Sequence, residues 1–175
     1  MIIFLGDSIT EWGNWKTLLP EFKIANYGVA GNKTYQIIDR VDELFDKEAH
    51  QLFLLVGIND LGDDRSLSDI VSDYKKLVSL LVENKVAKEI NLISVLPIIE
   101  FSWQKPGVSL QNIYQLNKEI KLIAQEYNIN YVDIHSLFAD ETGNLKQGFT
   151  IDGLHLSEAG YLMYAELIKM NLTTK

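Results

Sequence analysis

The chain has no cysteine, which excludes disulfides, thiolate metal sites and a cysteine nucleophile. It also lacks positive charge: 16 Lys and Arg against 24 Asp and Glu leave a formal charge of −8. A nucleic-acid backbone or an anionic bilayer therefore finds no basic footprint. No apolar stretch approaches the roughly 18 residues that a membrane-spanning helix needs. The first apolar run stops at Gly6 with no basic segment before it, unlike a secretory leader. These absences lead us to expect a cytoplasmic protein without a membrane span or a nucleic-acid partner, acting on a small neutral molecule. Proline is scarce, at three residues, and no repeat, low-complexity tract or Pro/Gly/Ser-rich linker divides the chain. With 175 residues, 47% of them hydrophobic, one domain over 1–175 around one core is the natural expectation.

Short apolar runs alternate with longer segments of helical period, the pattern of successive βα units and a parallel sheet. The runs predict strands near 2–5, 22–27, 51–56, 90–96 and 130–133, with helices near 12–19, 33–46, 67–85, 110–127 and 157–171. The third run, Leu52 to Val56, is continuously apolar, as a central strand covered on both faces requires. The longest irregular segment is Pro97 to Ser109, with Phe101 and Trp103 within it. Loops of that length are usually functional or disordered.

Three loops at the carboxyl ends of these strands carry polar groups. The first run leads into Gly6-Asp7-Ser8-Ile9-Thr10-Glu11, the second into Gly28-Val29-Ala30-Gly31-Asn32 and the third into Gly57-Ile58-Asn59-Asp60. Ligands of open α/β sheets bind at this edge. Near the end of the chain lies Asp152-Gly153-Leu154-His155. A serine hydroxyl becomes a nucleophile when a base takes its proton, and an imidazole serves best when a carboxylate fixes its tautomer. Ser8, His155 and Asp152 supply those three groups. The backbone N–H groups of Ser8 and Gly31 and the Asn59 amide would give three donors for a developing oxyanion. Each block also has a purely structural reading. Ser8 to Glu11 fits a helix capping box, Gly28 to Gly31 a glycine turn, and Asn59-Asp60 an Asx-turn or cap.

The four blocks, in this order, resemble those of the SGNH, or GDSL-type, hydrolases, and the resemblance spans essentially the whole chain. It implies a flavodoxin-like three-layer α/β/α sandwich with a five-stranded parallel sheet, Ser8 as nucleophile, His155 as base and Asp152 as orienting acid. It also implies an oxyanion hole from Ser8, Gly31 and Asn59, and no cofactor or metal. The chain departs from the family pattern at Asn32, where an acidic residue is more usual. Among family members it is most similar to the short acetylesterase and platelet-activating-factor-acetylhydrolase-like group.

Rival readings remain. Asp133-Ile134-His135 is a second dyad if both residues lie on one strand face, whereas His50, between a charged helix end and strand three, reads as a solvated turn residue. The Asp, Asn and His residues could also be scattered ligands of a two-metal phosphoesterase, or decorate a non-catalytic flavodoxin-like binding module. With no large inserted lid, the acyl pocket is expected to be open and shallow. Deacetylation of a sugar or small metabolite leads, with a lysophospholipase or thioesterase next. Asp7, Phe101 and Trp103 are the candidate substrate-binding residues, and the aromatics of 97–109 could equally mediate homo-oligomerisation.

Overall fold

The computed structural model describes residues 1–100, 105 and 107–173. Five strands form one parallel sheet: β1 (Ile2–Gly6), β2 (Ile24–Gly28), β3 (Ala49–Leu55), β4 (Ala87–Ile93) and β5 (Asn130–Val132), in the order β2-β1-β3-β4-β5. Ile3 pairs with Ala25 on one side and Leu52 on the other, and Leu92 pairs with Leu54 and Tyr131. This is the flavodoxin-like order. The chain leaves β1 outward to β2 and then crosses back to β3, so the strand order reverses at β1, and a crevice opens there at the carboxyl ends.

The central strands form because their apolar residues are consumed on both faces. Alternate side chains of a strand point to opposite sides, and Ile3, Leu5, Leu52 and Leu54 enter one core while Ile2, Phe4, Phe53 and Leu55 enter the other. The helices between the strands are α1 (Ser8–Glu11), α2 (Trp15–Leu18), α3 (Thr34–Ile38), α4 (Ile58–Gly62), α5 (Leu67–Glu83), α6 (Leu110–Glu126), α7 (His135–Phe138) and α8 (Glu158–Met170). Tyr74 and Leu77 of α5, with Leu116 and Ile120 of α6, fill the first core. Trp15 of α2, Phe138 of α7, and Tyr164 and Ile168 of α8 fill the second.

The three long helices begin where serine caps them. Ser66, Ser109 and Ser157 each accept the backbone N–H three residues on, satisfying one of the free donors of a first turn. Elsewhere the structure corrects the periodicity. The helix expected over 12–19 shrinks to α2, which Trp12 to Asn14 separate from α1, and that expected over 33–46 is α3 followed by a 3-10 turn at Val41–Leu44. The strand expected over 90–96 starts at Ala87 and leaves the sheet after Ile93. His50 lies within β3, and its Nε2–H donates to Thr173 Oγ1 at 3.1 Å; it is not a turn residue. Among the described residues no helix is long and apolar enough to cross a membrane.

Candidate active site

β1 ends at Gly6 and the chain turns directly into α1. The residue that starts this helix is Asp7, whose Oδ1 accepts the Ile9 N–H at 3.0 Å. Ser8 is thus the first helical residue and not the cap. The capping box read from Ser8 to Glu11 does not form, because the Glu11 carboxylate turns away to accept the Ala30 N–H at 3.0 Å. Asp7 is buried, and burial pushes its carboxyl up to about 7, with the Ile9 N–H acting against the rise and the charge of Asp60 adding to it.

Two glycines let α1 sit on the sheet edge. A Cβ at Gly6 would lie 2.3 Å from the Leu55 carbonyl and from Thr10 Oγ1, and one at Gly28 would lie 2.2 Å from the Glu11 backbone nitrogen. No side chain fits at such distances, so both positions require hydrogen.

The Asp152–His155 loop comes back over the same edge. His155 Nδ1 lies 2.6 Å from Asp152 Oδ2, and His155 Nε2 lies 3.2 Å from Ser8 Oγ. An imidazole nitrogen facing a carboxylate carries the proton, which leaves the Nε2 lone pair toward the serine. Asp152 is itself fixed, since Oδ1 accepts the backbone N–H of Leu154 at 2.9 Å and of His155 at 2.7 Å. Partial burial works to raise the Asp152 carboxyl, but the His155 ring and those two backbone donors outweigh it and hold the group below the ordinary carboxylate range. Thr150 pins the loop by donating to the His155 carbonyl at 2.8 Å and accepting the Gly153 N–H at 2.8 Å.

The second and third loops meet at Asn32, whose carbonyl is hydrogen-bonded to Asn59. Gly31 has φ +78°, a backbone conformation that favours glycine, and its N–H has no acceptor among the described residues. Asn59, in the first turn of α4, donates one amide N–H to the Asn32 carbonyl at 3.1 Å. That bond fixes the amide plane and leaves its second N–H available. The neighbouring Asp60 is buried and has a different task. It accepts from the Thr34 backbone and hydroxyl at 2.9 and 3.0 Å and from Arg65 at 2.5 Å, tying α3 to α4.

The rival pair is not assembled. β5 ends at Val132, so Asp133 and His135 do not share a strand face. Asp133 accepts from Ser136, and His135 Nδ1–H donates to the Val95 carbonyl at 2.9 Å. Phe101 and Trp103 lie outside the described residues. The segment leading to them is anchored to the site, for Ile99 N–H donates to the Gly153 carbonyl at 2.8 Å. Among the described residues no group of three or more His, Asp or Glu side chains is placed to hold a metal ion.

Sequence reasoning missed Trp12, whose indole stacks on the His155 ring at 4.2 Å between centroids. Residues four apart share a helix face, so a helix starting at Ser8 instead of residue 12 would have placed Trp12 beside the nucleophile.

Residues 4–163 match the model of the GDSL-like lipase/acylhydrolase family. The chain belongs to that family. A Streptococcus pneumonia structure provisionally named a platelet activating factor superposes with a TM-score of 0.91 at 30% identity, over 98% of this chain and 83% of that one. A GDSL-like lipase from Bacteroides thetaiotaomicron gives 0.82 at 27% identity, over 97% and 86%. An N-acylneuraminate cytidylyltransferase from Streptococcus agalactiae is 28% identical across 89% of this chain, yet the match occupies 35% of that protein. The chain thus spans about a third of the length of the curated relatives it matches. It combines membership of the GDSL-like lipase/acylhydrolase family with the fold of a solved GDSL-like lipase.

Proposed function

We propose that the chain, as a single SGNH hydrolase domain over 1–175, removes short acyl groups, above all acetyl, from a carbohydrate or small metabolite through an acyl-enzyme. The observation that carries this reading is the unbroken line from Asp152 Oδ2 through the His155 ring to Ser8 Oγ, at 2.6 and 3.2 Å. Ser8 Oγ attacks the ester carbonyl as its proton passes to His155 Nε2. Asp152 stays ionised and steadies the imidazolium. The carbonyl oxygen takes up the electron pair and is held by the N–H groups of Ser8 and Gly31 and by the free N–H of Asn59. Collapse of this intermediate breaks the bond to the alcohol, which leaves with the proton from His155. Water then repeats the sequence on the acyl-serine and releases the acid.

The acyl side is supported by a cavity whose lining includes Asp7 and Ile9, the chain neighbours of Ser8, and Leu154, that of His155. Leu55, Ile58, Val95 and Leu96 complete the lining, and the volume is about 10 Å³, room on the order of a single water-sized sphere. A methyl group suits it and a long acyl chain does not. The sugar side is supported by the likeness to part of N-acylneuraminate cytidylyltransferases, which makes O-acetylated acylamino sugars the first esters to try.

Labelling with a fluorophosphonate tests the nucleophile directly. The wild type is expected to take one label at Ser8, and Ser8→Ala to fold, to resist labelling and to lose roughly 10⁴-fold or more in kcat. Near-normal hydrolysis by folded Ser8→Ala would overturn the mechanism.

A further inference from the structure

Arg40 is a half-buried cation that satisfies itself on neutral acceptors. It follows α3, and its Nε–H donates to Asn32 Oδ1 at 2.9 Å. Its Nη2 group donates to the carbonyl of Tyr27 at 3.0 Å and, more weakly, to that of Gly6 at 3.4 Å. No carboxylate pairs with it among the described residues. Burial lowers the guanidinium from its ordinary value, and the charge of Glu43 only partly offsets this.

The three acceptors are not a random set. Gly6 is the last residue of β1, two before Ser8, and its carbonyl also accepts the Val29 N–H at 3.1 Å. Tyr27 lies at the end of β2. Asn32 directly follows Gly31, and its carbonyl accepts the Asn59 amide at 3.1 Å. One planar fork therefore touches the ends of β1 and β2, which lead to the Ser8 and Gly31 loops, and reaches the third donor, Asn59, through a single residue. A guanidinium can span such acceptors with fixed geometry, whereas an ammonium is a point charge on a flexible stem.

We propose that Arg40 is a positioning residue for ester hydrolysis, holding Asn32 so that the N–H of Gly31 and the amide of Asn59 keep their spacing from Ser8. This rests on the oxyanion assignment above. It also gives Asn32 a task, with the side chain gripped by Arg40 and the carbonyl gripping Asn59. A misplaced donor weakens the transition state more than the bound ester, because the oxyanion exists only during reaction.

The test is a set of variants, Arg40→Met, Asn32→Ala, Asn59→Ala and the pairwise combinations, with kcat and KM measured on p-nitrophenyl acetate and folding followed by urea denaturation. Asn59→Ala is expected to cost on the order of 10²-fold in kcat. Arg40→Met and Asn32→Ala are each expected to cost about tenfold in kcat with KM within about twofold. Their combination should be no worse than the poorer single variant. Arg40→Met should cost less when Asn59 is already Ala, since one of the two donors it helps to place is gone.

The proposal is overturned if folded Arg40→Met and Asn32→Ala both keep wild-type kcat, or if their losses persist in full beside Asn59→Ala. An unchanged kcat for Asn59→Ala, with Arg40→Met impaired, would instead overturn the donor assignment. Should Arg40→Met not fold, the cycle between Asn32→Ala and Asn59→Ala decides the question alone.

Discussion

Two carboxyl groups close to Ser8 in sequence or in space are driven in opposite directions by their surroundings. Asp152 is held below the ordinary carboxylate range by the His155 ring and two backbone donors, so it stays ionised while the imidazole takes up its proton. kcat/KM should therefore be lost as pH falls, since only neutral imidazole can accept the serine proton. Asp152→Asn should lower kcat by roughly 10⁴-fold; a folded variant with near-normal kcat would contradict the assignment. Asp7 goes the other way. Its carboxyl is pushed up to about 7 by burial, against 3.8 as the ordinary value. Between those pH values the folded chain binds more protons at Asp7 than the unfolded chain, so this group's contribution to stability falls as pH rises. Asp7→Asn keeps a side-chain oxygen for the Ile9 N–H and cannot ionise. Urea unfolding from pH 4 to pH 8 is expected to show the variant gaining on the wild type by up to a few kcal/mol. A gap independent of pH would show that Asp7 ionises freely in the fold.

At the scale of elements, α1 is where the site depends most on close packing. A Cβ at Gly28 meets the backbone of Thr10 and Glu11 at 2.2 to 2.7 Å, and a backbone cannot rotate aside as a flexible side chain can. Gly28→Ala is expected to displace α1, costing about 1–3 kcal/mol of stability and a larger fraction of kcat, because Ser8 moves with the helix. Gly31→Ala has open space around its Cβ and pays only for φ +78°, so its cost should be the smaller; equal losses in chemical denaturation would argue against the crowding at Gly28. The same elements show what the sequence made legible. Strand positions followed from apolar runs, and α5, α6 and α8 from long segments of helical period. Short helices were not legible. A single turn such as α4 or α7 is too brief for a helical period to register, and α1 was hidden because Asp7, not Ser8, caps it. The Ser8, His155 and Asp152 set was readable because reactive residue types stood in ordered blocks. Trp12 and Arg40 were not, since their roles arise from stacking and bridging between elements that only the fold brings together.

For the whole molecule, the cavity lined by Asp7, Ile9 and Leu154 is a product of the topology. Its walls come from the carboxyl ends of β1, β3 and β4, from α1 and α4 and from the Asp152–His155 loop, so no single element sets its size, and about 10 Å³ is what remains between them. Interiors this densely packed yield to added methylenes only at a cost of about 1–3 kcal/mol. On esters of one alcohol, kcat/KM should accordingly fall about 10-fold or more from acetyl to butyryl. Leu154 is the wall residue best suited to test this, because its side chain is apolar while its bond to Asp152 is made by the backbone N–H, which Leu154→Ala keeps. Leu154→Ala should enlarge the space and flatten the series, raising butyrate relative to acetate while the fluorophosphonate still labels Ser8. Two outcomes would count against this view of the acyl site: a wild type that favours longer acyl groups, or a Leu154→Ala variant that loses all esters in equal proportion. The first would place the acyl chain outside the cavity. The second would make Leu154 a support for the catalytic loop and not a gauge of chain length.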